Sequence, residues 1–354
     1  MKNFDIYTIN YRKTIREAFN KQGANNEGFI IITDDAQKAI GIVTDGDFRR
    51  AIWNSVSLEE EVDTIANRNF VYLEEDHNIN DIKKMFSKTT IRHIPILKEE
   101  VLTDIIFYSN FEESRLKFPR AKIDVPVVIM AGGRGLRLDP FTRILPKPLI
   151  PVGGKPVIEI IINKFHEYGV NRFYISVNDK AKMIKAFFED FKGELDISYI
   201  EEKIPLGTAG AIKFLQGKVE SPFIVSNCDT IIEEDYSKIL KFHKDGGYLL
   251  TLVGAMQHHI VPYGVCKIKN GGTLIELIEK PKYDFLVNTG MYIVNPGALE
   301  FIPHGKKFDT TELIELLRQN NKKIGVYPIS EKAWIDIGQW KEYKKAVDKL
   351  QLFG

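Results

Sequence analysis

The residues best suited to chemistry lie together in one stretch, VIMAGGRGLRLDPFTRILPKPLIPVGGKP, residues 128–156. A strand-like apolar run gives way to Gly132, Gly133 and Gly135, and Arg134, Arg137, Arg143, Lys147 and Lys155 sit among and after them. Glycines let a backbone approach a ligand closely and turn its amides toward it. Pro140, Pro146, Pro148 and Pro151 stiffen the connection and keep it from becoming helical. A stiff, cationic, glycine-lined loop after a buried strand suits a polyphosphate, and five like charges held this closely call for an anion. Two familiar phosphate loops are excluded. Lys155 is followed by Pro156 where a P-loop needs Ser or Thr, and GGRGLRL lacks the third glycine of a dinucleotide fingerprint.

A loop of this kind needs a scaffold. At 354 residues the chain is long enough for two or three domains. Hydrophobic residues at 44%, charged residues at 27% and a formal charge of +1 match an ordinary soluble protein. They give no bulk reason to expect nucleic acid or a membrane as partner, so any anion is met locally. The N-terminus shows no signal-peptide core, and no apolar run approaches the ~18 residues of a spanning helix. The expected compartment is the cytoplasm. Cys228 and Cys266 are too few for a disulfide framework and lack metal-ligand spacing, and both are expected as buried packing residues. His258 and His259 have no acidic or cysteine partner spaced for a metal, and Trp334 and Trp340 read as packing residues.

The N-terminal third repeats loosely. YRKTIREAFNKQ reads as a helix before GFIIITDDAQKAIGIVTDGDFRRAIW, in which two apolar runs flank a polar turn; NINDIKKMFSKT, RHIPIL and VLTDIIFYSNF return the same order. Two βαββα units would have to pack together, because neither could close a core alone. This arrangement resembles a tandem CBS pair, expected over residues 1–118, with copies at about 1–57 and 58–118. In GIVTDGD, Gly41, Thr44 and Asp47 match the family's ribose and phosphate pattern, which implies an adenine nucleotide as regulatory ligand. The second copy departs from it, with Asp104, Phe107 and Asn110 in DIIFYSN. The alternative is a packed appendage or dimerisation surface, and the resemblance also implies a homodimer. EESRLKFPRAKID, residues 112–124, reads as a linker.

Beyond it, VPVVIMAG, NRFYISVN, LDISYIEE and PFIVSNCD read as strands between helical stretches such as PVIEIIINKFHEYG and KAKMIKAFFEDF. Such alternation specifies an α/β domain with a mostly parallel sheet covered on both faces, and ligands bind beyond the strands' carboxyl ends. The chain closes on the helix-like GQWKEYKKAVDKLQ.

The domain expected over 119–354 resembles the sugar-1-phosphate nucleotidyltransferase family. The match runs through Gly132-Gly133-Arg134-Gly135-Leu136-Arg137-Leu138, Leu145-Pro146-Lys147-Pro148 and Gly154-Lys155-Pro156. It continues through PLGTAGA, SNCD, YGV, IEKP, NTGMYI and WIDIG in family order; Leu136 departs where threonine is usual. The resemblance implies a Rossmann-like, GT-A-like mixed sheet and attack of a sugar-1-phosphate on the α-phosphorus of a nucleoside triphosphate. It implies catalytic Arg137 and Lys147; nucleotide contacts at Ala131, Gly132, Gly133, Gly135, Glu202, Gly207 and Thr208; and sugar-phosphate contacts at Gly264, Glu279, Lys280, Asn288 and Thr289. Asp229 and Asp336 would hold Mg²⁺, since that ion favours one or two carboxylates with phosphate oxygens and water. In isolation Asp229 also reads as a helix cap and Asp336 as a turn residue before Gly338.

Glu202 adds an expectation about the base. Guanine presents two adjacent donors that a carboxylate accepts together, whereas uracil, cytosine and adenine suit an amide. GTP is therefore the expected nucleotide, with Glu202 as a plain surface acid the competing reading. A CBS pair ahead of the transferase resembles guanylyltransferases that make GDP-sugars, which implies glucosamine-1-phosphate as the sugar. Uridylyl or cytidylyl transfer, a glycosyltransferase lacking its Asp-x-Asp motif, and a nucleotide-sensing binding protein stay open.

Overall fold

The structure, a computed structural model, describes residues 4–25, 27–88, 91–107, 121–133, 135–178, 180–191, 195–340 and 342–344. Two compact units divide it, Met1–Arg120 and Ala121–Gly354.

In the first unit, strand Thr8–Asn10 pairs parallel with Phe29–Thr33, which pairs antiparallel with Ala39–Thr44. Strands Leu73–Glu74, His93–Lys98 and Val101–Phe107 repeat the same parallel and antiparallel pairing. Helices Ile15–Asn25 and Asp45–Trp53 complete the βαββα order of the first copy. In the second, Ile79–Lys88 takes the place of the first helix. Asn110, the expected last helix of the second copy and most of the expected linker fall outside the described residues. The reason for pairing the copies is visible in the core: Phe29, Ile31, Ala39 and Ile42 share one cluster with Leu97 and Ile105. Ala39 N–H also donates to Glu100 O at 2.7 Å, stitching the two turns together.

In the second unit, seven strands form one sheet: β1 Val127–Met130, β2 Arg172–Val177, β3 Asp196–Glu201, β4 Phe223–Asn227, β5 Leu250–Ile260, β6 Lys282–Val294 and β7 Ile324–Ile329. Their spatial order is β3-β2-β1-β4-β6-β5-β7. The pairs β3/β2, β2/β1, β1/β4 and β5/β7 are parallel, and β6 runs antiparallel to both neighbours. The mixed, mostly parallel α/β sheet expected from the alternation is therefore present. Helices α1 Val157–His166, α2 Ala181–Phe187, α3 Tyr236–Gly246 and α4 Thr310–Gln319 connect the strands. Successive side chains of a strand point to opposite faces, and β1 shows the result. Val127 and Ile129 join the cluster containing Ile161, Phe165 and Ile239, while Val128 joins Ile212, Leu215 and Leu313. Burial on both faces is why this strand reads as an unbroken apolar run.

The strands β5 and β6 outrun the sheet. β4 pairs only with Met291 to Val294 of β6, and β7 only with Leu250 to Ala255 of β5. The remainder of both, joined by the hairpin Val265–Ile268 and Leu274–Ile278, projects beside the carboxyl ends of β1 and β4. Among the described residues no helix is long and apolar enough to cross a membrane.

Candidate functional site

Three strands of one half of the sheet deliver the site at their carboxyl edge: β1 runs into Ala131 to Gly133, its neighbour β4 into Cys228 and Asp229, and β3, one strand away across β2, into Glu202. The loops leave the sheet still tied to it, with Ala131 N–H donating to Ser176 O (3.1 Å) and Cys228 N–H to Met130 O (3.3 Å). Gly135 has φ 66°, and a Cβ there would lie 2.9 Å from both Lys147 Cβ and Thr142 Cγ2. Only glycine lets the loop fold back so that Lys147 comes beneath it. Gly133 is different: it is exposed and nothing approaches within 4 Å of where its Cβ would be.

The two aspartates are brought together by a short antiparallel pairing of Thr230–Ile232 with Trp334–Asp336, in which Thr230 faces Asp336. Ile337 N–H donates to Asp229 O at 2.8 Å. A Cβ added at Gly338 would lie 2.9 Å from Asp336 Oδ1, 3.0 Å from Asp229 Oδ2 and 3.6 Å from an Arg137 guanidinium nitrogen. Four expected residues therefore converge, since Lys147 pairs through its ammonium with Asp229. Asp229 caps no helix: α3 starts later and is capped by Asp235, whose side chain accepts from Ser237 N–H. Asp336 does make the turn its isolated reading suggested, accepting from Gly338 N–H at 2.7 Å. Burial pushes the Asp336 carboxyl above its ordinary range and Asp229 adds to the rise, while the Gly338 N–H, Lys147 and Arg137 pull it back. Beside Asp229, the Cys228 thiol is pushed up to about 12, first by burial and then by that carboxylate. It is inert at neutral pH.

Two carboxylates aimed at one point fit a hard cation such as Mg²⁺. Among the described residues no three acidic, His or Cys side chains gather around a point. A cation here would complete its shell with substrate oxygens and water.

The loop's charge balance corrects the expectation of five cations awaiting an anion. Arg143 forks onto Asp139 with bonds of 2.6 and 2.7 Å, and Lys155 pairs with Glu159 at 2.9 Å. Arg134 lies outside the described residues. Lys147 is paired as well, with Asp229, so the demand for an external anion rests on Arg137, and on Lys147 only when it leaves that carboxylate.

Glu202, the expected base reader, is no surface acid. It is 9% exposed, and its carboxylate accepts from Ser176 Oγ–H at 2.6 Å and Leu206 N–H at 2.8 Å. A Cβ on Gly132 would sit 2.7 Å from Glu202 Oε1, so the carboxylate lies directly under the first glycine of the loop. Gly207 adopts φ 76°, and a Cβ there would collide with Asp309 Oδ1 and come within 2.8 Å of Phe308 O. Thr208 donates its N–H to Asp309 at 3.1 Å and accepts from Thr310 N–H at 2.9 Å. The PLGTAGA segment is thus seated against the start of α4.

Of the residues expected at the sugar phosphate, Gly264 and Glu279 meet, a Cβ on Gly264 lying 3.0 Å from Glu279 Oε2. Lys280 is exposed with φ 46°. Asn288 donates to Tyr292 Oη at 2.7 Å and accepts from Gly290 N–H at 3.1 Å. Thr289 is 3% exposed and its hydroxyl donates inward to Val253 O at 2.9 Å, so its side chain faces the core at the β5 bulge. Cys266 is exposed, contrary to its expected burial, because it sits on the projecting hairpin. His258 also has an acidic neighbour that spacing did not reveal, Asp284 at 2.5 Å across the β5–β6 ladder.

In the first unit, Thr44 and Asp47 form a capping box at the helix Asp45–Trp53. Thr44 donates both N–H (2.8 Å) and hydroxyl (2.6 Å) to the Asp47 carboxylate, and Arg50 pairs with its other oxygen. A Cβ on Gly41 would lie 3.2 Å from Ala66 Cβ, which explains that glycine by a close chain approach.

Four residues outside the expected site set contribute to it. Ser176 buttresses Glu202, and its signal is a polar residue inside an apolar strand. Asn227 fills the space over Gly290, where a Cβ would collide with its amide. Trp340 and Tyr343 touch the glycine loop, which no local pattern announces.

The family described as Nucleotidyl transferase matches residues 126–351, and CBS domain matches residues 1–54 and 62–107. A mannose-1-phosphate guanyltransferase 2 from Candida glabrata is 33% identical over 227 residues, 61% of this chain and 62% of that protein. A UTP–glucose-1-phosphate uridylyltransferase from Synechocystis sp. is 28% identical over 242 residues, 62% of each chain. The matched region therefore spans about 62% of the length of these relatives. The crystal structure of HddC from Yersinia pseudotuberculosis is matched over its full length and 64% of this chain, with 31% identity and a TM-score of 0.52. A second crystal structure of HddC, complexed with GMP-PN, has a TM-score of 0.50.

Proposed function

Because the chain belongs to the sugar-1-phosphate nucleotidyltransferase family and carries a CBS pair ahead of that domain, we propose that it transfers guanylyl from GTP to a sugar-1-phosphate, glucosamine-1-phosphate foremost, releasing pyrophosphate for surface-glycan synthesis. The observation that carries the transferase reading is the convergence of Arg137, Lys147, Asp229 and Asp336 around Gly338 beneath the glycine loop. A pure binder has no use for a second carboxylate there.

The sugar phosphate is already largely ionised at neutral pH, its second pKa being about 6, so no catalytic base is required. Positioning and charge neutralisation carry the rate. Ala131, Gly132, Gly133 and Gly135 line the triphosphate with backbone. Lys147 leaves Asp229 for the phosphates, and Arg137 meets the charge that gathers on the departing pyrophosphate. Asp229 and Asp336 would hold Mg²⁺, which would supply charge neutralisation to the reacting phosphates. Lys280 takes the sugar's phosphate; Glu279, Asn288 and the main chain at Gly264 and Thr289 take its hydroxyls.

Glu202 reads the base, alongside Gly207 and Thr208. Each of its oxygens accepts one bond from the protein and keeps a second lone pair. Two fixed acceptors suit guanine's N1–H and N2–H, and a relative solved with GMP-PN supports the choice. The uridylyltransferase relative favours a second reading, UTP in place of GTP with the same chemistry.

Pyrophosphate release with Mg²⁺, screened over GTP, UTP, CTP, dTTP and ATP against glucosamine-, mannose- and glucose-1-phosphate, tests this. Release confined to GTP supports it; release with UTP alone keeps the chemistry and discards the guanine argument. Silence in every pair leaves a nucleotide-sensing binding protein. An adenine nucleotide at Gly41, Thr44 and Asp47 is the regulatory half of the reading, checked by adding AMP or ATP to the same assay. A homodimer through the CBS pair, checked by sedimentation, and a cytoplasmic setting beside its substrates complete it.

A further inference from the structure

The segment carrying Asp336 continues past Gly338 and takes hold of the glycine loop from outside. Trp340 Nε1–H donates to Asp139 O at 2.8 Å, and Tyr343 Oη–H donates to Pro151 O at 2.8 Å. Between these two points the Phe141 ring packs on Trp340 at 4.9 Å and on Tyr343 at 6.1 Å, and the two rings of the segment meet edge-on at 5.8 Å. One helical bond, Tyr343 N–H to Gln339 O at 2.8 Å, sets residues 340 and 343 on the same face. On the loop's other side the Lys180 ammonium donates to Thr142 O at 2.5 Å.

The gripped carbonyls flank Lys147 and lie just beyond Arg137. Asp139 stands two residues after Arg137, and Pro151 four after Lys147. At the other end of the segment, Asp336 stands four residues before Trp340. The loop itself is short of regular structure, held by turns and prolines. Its cations can keep register with the aspartates only if something outside the loop sets its height above the sheet. We infer that Trp340 and Tyr343 are positioning residues for nucleotide binding: an aromatic clasp that ties the triphosphate loop to the metal-carboxylate segment, so that Arg137 and Lys147 are held opposite Asp229 and Asp336 before substrate arrives. The inference rests on the transferase reading for its kinetic consequence and on the geometry alone for its mechanical one.

Neither residue touches the reacting groups, so the expected signature is selective. Loosening a positioned cation by about 1 Å can cost up to roughly a hundredfold in rate. The sugar site lies on other elements, Gly264, Glu279, Lys280 and Asn288, and is not gripped.

The test uses the full chain with Trp340→Phe, Tyr343→Phe and the double variant, which keep an aromatic ring at each position and remove both donors; Tyr343→Phe removes its donor alone, and Trp340→Phe also trims the indole to one ring. With MgGTP and glucosamine-1-phosphate, or the pair found active in the screen, the double variant should raise KM for the nucleotide about tenfold. KM for the sugar phosphate should stay within about twofold. Amide exchange of residues 136–152, measured without substrates, should quicken about tenfold while β1 and β4 keep their protection. Equal rises in both KM values would overturn the inference in favour of a general structural role, and unchanged nucleotide KM with unchanged loop exchange would overturn it outright. If the wild-type chain turns over no pair, the transferase reading has failed, and the exchange comparison alone upholds or overturns the clasp.

Discussion

The ammonium of Lys147 is paired with the carboxylate of Asp229, with side chains only 11% and 13% exposed, at the point where the β1 loop crosses the end of β4. Each holds the other's charge until a ligand takes over. Removing one partner of a nearly enclosed pair strands the other, at a cost on the order of 3 kcal/mol. Lys147→Ala should therefore lower both unfolding free energy by about that amount and kcat by about a hundredfold or more. Denaturant unfolding and pyrophosphate release measure the two effects, and a variant that loses activity with full stability would mean the pair is not formed in solution.

Glu202→Gln keeps the shape of a buried side chain and exchanges two acceptors for one acceptor and one donor. GTP turnover should fall between about tenfold and about a hundredfold while UTP gains relative to it. Competition between the two nucleotides in one assay reads the ratio directly; a ratio unmoved by the substitution would remove Glu202 from base recognition.

Two glycines of the site should separate folding from function. At Gly207 a Cβ meets backbone at 2.8 Å with φ 76°, so Gly207→Ala should cost at least about 2 kcal/mol of stability. At Gly133 the same methyl meets nothing within 4 Å, so Gly133→Ala should unfold like wild type; if the proposed triphosphate site is right, KM for the nucleotide rises severalfold, because the methyl would then stand where phosphate oxygens approach. Thermal unfolding of both variants beside nucleotide KM makes the comparison.

His93 stacks on Phe29 at 3.5 Å between the two halves of the CBS pair, and burial lowers its pKa to about 4. A depressed pKa means that the unfolded chain binds a proton near pH 6.5 while the folded chain refuses it. Stability is thus fully present above about pH 6.5 and is lost as pH falls toward 4, by up to about 1.4 kcal/mol per pH unit. His93→Phe keeps the stack and should flatten this slope in the unfolding of the first unit. A slope unchanged by the substitution would assign the loss to other groups.

Elements with strong periodicity are legible in the chain itself. The βαββα repeat, the alternation through β4 and the glycine loop all follow from local pattern, because burial on one or both faces of a strand or helix leaves a period in the residues. The residues proposed for the site are legible as an ordered set of motifs. Their partners are not. Nothing local says that Arg143 and Lys155 are neutralised by Asp139 and Glu159, that Glu202 is enclosed, or that Cys266 is exposed on a projecting hairpin.

By itself the sequence determined the kinds of groups available: a glycine loop with cations, two aspartates following apolar runs, and a carboxylate before PLGTAGA. Tertiary structure decided which of them meet. Asp229 and Asp336 share one point because Thr230–Ile232 pairs with Trp334–Asp336 across a long separation, and Trp340 and Tyr343 reach the loop for the same reason. Such contacts depend on sheet register and chain return, which no local pattern encodes. The charges, hydrogen bonds and burial that turn a residue type into a working group are settled only once those distant segments lie side by side.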